Sequence, residues 1–338
     1  MALGCFLMIS TRKPANSFAP RISIVAPCLN EEDIVPEFLA RCKKAVEKIT
    51  DRWEIILVDD GSRDRTWEAI CEGYQHDKRC KGVRLSKNHG HQTALTAGLK
   101  SSSGDRVLVI DSDLQDPPEL VVEMDRLMTE TKADVVHAVR RKREGETWFK
   151  LLTAAGFYWL LGFLSDLRIP KNSGDFKLMS RRVIDAINRM PEGHRYLRGM
   201  VYAVGFLQVT LEYERKPRAR GKTKFSFFRM LRFALDGITS FSMKPLRLAT
   251  LGGFSIGILG LVWAIVGVVW SFQPGRSFSS LSVLIPFFLF FSGLQLTVVG
   301  IVGEYVGRIF EQVKGRPLFF IDERVGIETQ MSAKVHVE

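Results

Sequence analysis

Two stretches of the chain carry no charged side chain: Leu248 to Phe272, LATLGGFSIGILGLVWAIVGVVWSF, and Leu281 to Gly303, LSVLIPFFLFFSGLQLTVVGIVG. As helices, each is long enough to cross about 30 Å of hydrocarbon. A helix of that length in a soluble core would carry charge on its wet face. The chain is therefore expected to cross a membrane twice, at 248–272 and 281–303. Between the two lies QPGRSFSS, whose only charge is Arg276. Lys244 and Arg247 precede the first stretch, and Arg308, Lys314 and Arg316 follow the second. Basic residues stay on the cytoplasmic side, which places the short loop outside and both termini, including a tail at 304–338, in the cytoplasm. Residues 224–247 mix Phe and Leu with Arg229 and Arg232. They read as a juxtamembrane amphipathic helix in the membrane interface, although a helix packed on a globular domain would have the same pattern.

What remains, 21–223, must fold in water, and 46% hydrophobic composition over 338 residues supplies a sizeable core. Strand-like runs recur at Ile22–Pro27, Glu54–Asp60, Gly82–Ser86, Arg106–Asp113 and Asp134–Val139, separated by helix-length amphipathic stretches. That is the βαβ rhythm of an α/β domain with a mostly parallel sheet. Residues 1–20 are expected to be an extension. MALGCFLMIS has no basic residue ahead of its apolar stretch and no small-residue cleavage site after it, unlike a signal peptide. The net charge of +11 points to a phosphate-bearing partner without choosing among nucleic acid, anionic lipid and nucleotide. The five cysteines share no C-x-x-C spacing and read as reduced thiols.

Polar residues gather where strands end. VLVIDSDLQDPPE, 107–119, closes an apolar run with Asp111, Asp113 and Asp116 close together, where like charges repel, and Pro117 and Pro118 suit the first turn of a following helix. The first strand runs into PCLNEED, where Asn30 suits a helix N-cap. The second runs into DDGSRDRT, with Gly61 suited to a positive-φ turn. Ligands of open α/β sheets bind at the C-terminal ends of the strands, so these residues form either solvated turns or a cation site. Hard divalent cations prefer oxygen ligands. Asp111 and Asp113 alternate along an extended backbone and converge only if the strand bends at its end. Lys87 suits a phosphate contact or a solvated surface, and His89 and His91, two apart in a Gly-containing turn, make a poor metal-ligand pair.

Taken in order, VAPCLNEE, VDDGSRDRT, NHGHQTALTAGL and DSDLQDPPE resemble the family-2 glycosyltransferases with the GT-A nucleotide-diphospho-sugar-binding fold. With GDFKLMSR, RARGKTKFSF and two C-terminal spans added, the chain resembles the polyprenyl-phosphate glycosyltransferases, the group of bactoprenol glucosyltransferases and dolichol-phosphate mannose synthases, over about residues 21–316. There is one departure. Where relatives commonly read GxSKY, this chain has Gly221, Thr223, Lys224 and Phe225, which keeps a hydroxyl and the lysine and loses the tyrosine hydroxyl.

The resemblance implies a Rossmann-like GT-A domain at 21–223 and a divalent ion, Mg²⁺ or Mn²⁺. Asp113 and Gln115 would bind the ion, with Asp111 between ribose and metal. Pro27, Asn30, Glu31 and Asp60 would hold the base and ribose, and a carboxylate at Asp60 accepting from the uracil imide would favour uridine over cytidine. Arg140 or Arg143 would take the lipid phosphate, while Arg220 and Lys224 close over the donor diphosphate. Asp113 and Asp175 are the catalytic candidates, Asp175 as general base or as the carboxylate that orients the acceptor. A phosphate monoester loses its second proton at about pH 6, so positioning should contribute more than proton removal.

The expected reaction is metal-dependent, inverting transfer of a sugar to a membrane polyprenyl (undecaprenyl) phosphate at the plasma (inner) membrane. UDP-glucose is the first expectation for the donor, ahead of UDP-formamido-arabinose, UDP-galactose, UDP-GlcNAc and GDP-mannose. The partners are the nucleotide sugar, the lipid and the membrane, with a homo-oligomer left open and no nucleic acid, because the basic residues flank membrane segments instead of alternating with aromatics. A processive family-2 synthase is disfavoured: Arg195 and Tyr196 do not form its QxxRW motif, and two spans cannot enclose a polymer. A non-catalytic sugar-nucleotide-binding scaffold is the remaining alternative, and the D-x-D-x-Q series argues against it.

Overall fold

The computed structural model describes residues 20–140, 173–193, 195–214, 244, 246–247, 249–256, 258, 262 and 280–327. All five expected strands form: β1 (Ile22–Cys28), β2 (Trp53–Asp59), β3 (Cys80–Leu85), β4 (Arg106–Val109) and β5 (Val135–Arg140). Helices α1 (Val35–Val46), α2 (Thr66–His76), α3 (His91–Ser101) and α4 (Val121–Thr131) join them, the last entered through a 3-10 turn at Pro118–Leu120. There follow β6 (Ser173–Ser180), α5 (Arg181–Arg189), α6 (Leu197–Ala203), β7 (Gln208–Tyr213), α7 (Ser280–Val313) and β8 (Ile321–Val325). Every residue of β1 and β2 is buried, because helices cover both faces of the sheet. Phe38 of α1, Trp67 of α2 and Met124 of α4 pack on one face; Leu95 of α3, Ile184 of α5 and Met200 of α6 pack on the other.

The sheet order is β7-β5-β6-β4-β1-β2-β3-β8. The sheet is mixed, but mostly parallel as expected: β1 to β5 and β7 run in one direction, and β6 and β8 are reversed. β6 lies antiparallel between β4 and β5, and β8 is antiparallel on β3. A βαβ rhythm dictates parallel pairing only where a crossover helix joins neighbouring strands, and β6 is inserted after β5 instead. The inversion matters for the site. Val109 of β4 pairs with Lys177 of β6, which brings Asp175, two residues earlier in β6, near Asp111, with His91 Nε2 3.5 Å from each carboxylate.

Residues 304–338, expected as a simple tail, hold the end of α7 and the strand β8. β8 covers the open edge of β3, which removes a row of unpaired backbone groups. Glu323 on β8 accepts from Trp67 Nε1 at 3.1 Å and Arg84 Nη1 at 3.0 Å. Among the described residues, one helical segment is long and apolar enough to cross a membrane, Phe290–Val313 within α7. Many of its apolar side chains are exposed: Phe290 is 64% exposed, Leu296 71% and Val299 65%. The other expected span, 248–272, lies largely outside the described residues, as does most of 224–247; residues 249–256 are helical.

Candidate active site

The first two strand ends are tied together backbone to side chain. Asn30 takes a left-handed φ of 56°, its N–H donates to Ser62 Oγ at 3.0 Å, and its own Oδ1 accepts from Arg63 N. Glu31 N donates to Thr66 Oγ1 at 2.8 Å. Asn30 is therefore not a helix cap as expected: α1 starts later, at Val35, without a side-chain cap, and Asn30 spends its oxygen on the neighbouring loop. Gly61 is required where it stands. It has φ +70°, and a Cβ there would lie 2.6 Å from the Lys87 carbonyl carbon, so only glycine lets the 87–90 turn approach. That turn is held by Asp60, whose two oxygens accept from His89 N at 2.7 Å and Gly90 N at 2.9 Å.

β4 ends at Val109, short of the expected Asp113, and the chain then turns, with Leu114 in a left-handed φ of 56°. This is the bend that convergence of Asp111 and Asp113 demands. Together with the β1 and β2 ends it encloses a cavity of about 230 Å³ lined by Pro27, Glu31, Asp60, Asp111, Asp113 and His91. Asn30 and Gln115 are not on its wall; the Gln115 side chain is buried, and the Gln115 backbone N–H donates to Asp113 Oδ1 at 3.1 Å. Burial pushes the Glu31 carboxyl up to about 7, with Asp113 and Asp111 adding to the effect against a hydrogen bond from Ser112. The Ser112 hydroxyl meets both Glu31 and the Pro27 carbonyl. Asp111 is also pushed up by burial, and its Oδ1 is a buried oxygen without a hydrogen bond among the described residues.

Those features fit a divalent cation. Among the described residues no three His, Cys, Asp or Glu side chains form a self-sufficient metal nest. Mg²⁺ and Mn²⁺ commonly take one or two carboxylates and complete their shell with substrate phosphates and water, for which the Asp111 and Asp113 carboxylates on a cavity wall suffice. Gln115 would have to turn out of its buried position to join them.

Asp175, at the start of β6, is held differently. Arg198 grips it with two parallel bonds, Nε to Oδ1 at 3.0 Å and Nη2 to Oδ2 at 3.1 Å. Gln92 Nε2 donates to Oδ2 at 3.1 Å, while Gln92 Oε1 accepts from Leu197 N, fastening α3 to the turn that carries Arg198. His91 Nε2 lies 3.5 Å from both Asp111 Oδ1 and Asp175 Oδ2. Burial alone would raise Asp175, but His91, Arg198 and Lys177 outweigh it and hold this carboxylate well below its usual range. It is an ionised anchor and a weak proton acceptor. Lys177 Nζ, buried and 3.8 Å from Asp175 Oδ1, has no hydrogen-bond acceptor among the described residues.

On the opposite face of the sheet edge, Arg140 at the end of β5 meets Asp116 and Tyr213. Its Nε donates to Tyr213 Oη at 3.3 Å and its Nη2 lies 3.5 Å from Asp116 Oδ2, while the Tyr213 hydroxyl donates to Asp116 Oδ1. The other expected phosphate-binding residues, Arg143, Arg220 and Lys224, lie outside the described residues. The residue types alone did not point to His91, Gln92 and Arg198. His91 and Gln92 open α3 directly after the positive-φ Gly90, a signal visible in NHGHQ; Arg198 follows β6 in sequence and carries no motif of its own.

The acid-walled cavity lies at the carboxyl ends of β1, β2 and β4, where ligands of open α/β sheets bind. The chain belongs to glycosyl transferase family 2, whose profile matches residues 23–187. It is a glycosyltransferase, and its resemblance to the polyprenyl-phosphate enzymes of that family is borne out by its relatives. It is 42% identical over 308 residues to the uncharacterized glycosyltransferase YkcC of Bacillus subtilis, covering 91% of this chain and 95% of that one. It is 38% identical over 304 residues to the SfII prophage-derived bactoprenol glucosyl transferase of Shigella flexneri, covering 89% and 97%. Among solved structures, it is similar to the mannosyltransferase PcManGT from Pyrobaculum calidifontis in complex with GDP-Man and Mn²⁺, at 14% identity and a TM-score of 0.47, covering 86% and 88%.

Proposed function

We propose that the protein transfers glucose from UDP-glucose to a membrane polyprenyl phosphate such as undecaprenyl phosphate, with inversion at the anomeric carbon and release of UDP. The observation that carries this reading is the acidic cavity at the β1, β2 and β4 ends, joined in one chain to the apolar helix α7. The name of the Shigella relative, aligned over nearly its whole length, supports glucose and a bactoprenol acceptor. A divalent ion held by Asp111 and Asp113 would offset the charge that develops on the departing diphosphate. The protein's own part is to place things: Asp60 and Glu31 beside the nucleoside, Asp175 as a fixed anion at the acceptor side, and Arg140 toward the acceptor phosphate. Other UDP-sugars or GDP-mannose remain alternative donors, since epimers differ by a few hydroxyl contacts.

Chain parity supports a membrane placement with the sheet wholly on one side. The chain leaves the sheet after β7 and returns to it as β8, so any membrane crossings between them are even in number. If α7 is one, residues 248–272 supply the other, and the catalytic domain and both flanks share the cytoplasmic side. A cysteine at Ser279 should then react with a membrane-impermeant thiol reagent in intact cells and one at Ser332 should not; the reverse pattern overturns the orientation. The function itself is tested with the purified full chain, a panel of nucleotide sugars, undecaprenyl phosphate and Mn²⁺. A product of the mass of undecaprenyl-phosphate-hexose from UDP-glucose is expected. Donor binding without product from any sugar in the panel would instead favour a non-catalytic scaffold.

A further inference from the structure

The third acid of DSDLQD is not part of the cavity wall. Asp116 is 1% exposed and lies on the other face of the sheet edge, against Tyr213 and Arg140. Tyr213 is 7% exposed, its ring set edge-on to Phe176 at 5.7 Å, which fixes the direction of its hydroxyl. That hydroxyl donates to Asp116 and accepts from Arg140, so the three groups close a triangle. The guanidinium has five N–H donors in a rigid fork, and this triangle engages only Nε and one on Nη2. The side chain stays 32% exposed, so the unengaged part of the fork is open to a ligand. Burial opposes the charge on Arg140, but the Tyr213 hydrogen bond and then Asp116 outweigh it and hold the guanidinium above its usual range.

We propose that Asp116 and Tyr213 are positioning residues that aim Arg140 at the phosphate of the acceptor. This rests on the proposed role of Arg140 as an acceptor-phosphate ligand. A long, flexible cation loses rotamer freedom when it clamps a phosphate, and a buried anchor that fixes the fork beforehand lowers that cost. The same aspartate would keep the arginine from swinging across the edge to the acids of the nucleotide cavity.

The test uses the purified full chain with undecaprenyl phosphate and UDP-glucose, and reads KM for each substrate separately from kcat. Tyr213→Phe should raise the acceptor KM about fivefold, the worth of one hydrogen bond, with donor KM and kcat near wild type. Asp116→Asn should raise it about tenfold or more, since it removes a charge-assisted contact. Arg140→Ala should exceed both, and Tyr213→Phe should add nothing in that background, because it acts only through the arginine. If Arg140→Ala raises the acceptor KM while the other two leave it unchanged, positioning is overturned and the acceptor role stands. If Arg140→Ala leaves it unchanged, the acceptor role itself is wrong. A rise in donor KM in place of acceptor KM also overturns the proposal, and should Asp116→Asn fail to fold, Tyr213→Phe and the double variant decide alone.

Discussion

Asp111 and Asp175 both lie 3.5 Å from His91 Nε2, yet the protein treats their charges in opposite ways. Asp175 receives a bidentate arginine, a glutamine N–H and a nearby lysine, and is held ionised well below the usual carboxylate range. Asp111 shares one partly exposed histidine with it, has an unsatisfied buried oxygen, and is pushed upward together with Glu31. One acid is a finished ion pair built into the scaffold. The other belongs to a group short of positive charge beside a cavity. Half-buried carboxylates short of positive partners cost stability, so a deficit concentrated at one cavity marks where an external cation belongs.

The largest expected effect comes from the deficient group. Asp113→Asn should lower turnover by about 10²–10³ or more with the fold intact, since the loss is of charge stabilisation at the leaving group. Labelled-sugar transfer alongside circular dichroism measures it. Full turnover of this variant in excess EDTA would break the comparison, because the cavity acids would then need no cation.

On the satisfied side, the expected damage is to stability. Arg198→Met leaves Asp175 buried without its main partner, which should cost about 3–5 kcal/mol in denaturant unfolding. Asp175→Asn, which keeps shape and hydrogen bonding, should be milder and retain measurable transfer at pH 8, as befits an anchor. A loss in Arg198→Met under about 1 kcal/mol would mean the bidentate pair is not what holds the β6 start.

Glu31 tests the deficit by pH. Its carboxyl is raised from 4.5 in the unfolded chain to about 7 in the fold, so its contribution is fully present below pH 4.5 and is lost as pH rises through 7. Glu31→Gln should therefore be more stable than the parent by about 1–3 kcal/mol at pH 8 and no different at pH 4. Mn²⁺ with UDP should shrink that advantage, because bound cation favours the ionised acid. An advantage that is the same at both pH values would refute the assignment.

How much of this was legible in the residues depended on which forces are local. The five central strands were readable because strands covered on both faces become unbroken apolar runs, and the strand-end acids follow from the same pattern. The inverted β6 was not, since SGDFKLMS alternates like any half-buried strand and its direction is set by what lies across β4. For the same reason Asp175 could be nominated while Arg198, Gln92 and His91 could not be joined to it. Those contacts span 23, 83 and 84 positions of chain and exist only through the sheet order. β8 was hidden too: FIDERVG is too short and too charged to read as a strand, and it is one because β3 offers an open edge and Arg84 and Trp67 meet Glu323.

The smallest expected effect concerns Lys177, and it decides whether the satisfied group has charge to spare. This ammonium is buried opposite His137 in the β5–β6 register, and burial pushes it down from 10.5 to about 8 against the pull of Asp175. His137 cannot share a proton load with it: burial and the lysine lower the imidazole to about 4, so it stays neutral, stacked on Tyr202 at 5.0 Å and bonded to Gln208. Because the lysine is depressed in the fold, its contribution is fully present above pH 10.5 and is lost as pH falls through 8. Wild type should thus gain stability between pH 8 and 10 by up to about 3 kcal/mol. Lys177→Met should lack that rise, yet at pH 7 differ from wild type by less than about 1 kcal/mol, since it exchanges an ammonium without an acceptor for a thioether and leaves Arg198 on Asp175. Urea unfolding at pH 7 and pH 10 reads both quantities. A loss above about 2 kcal/mol at pH 7 would show that Asp175 needs both cations, and the contrast with Asp111 would then be one of degree.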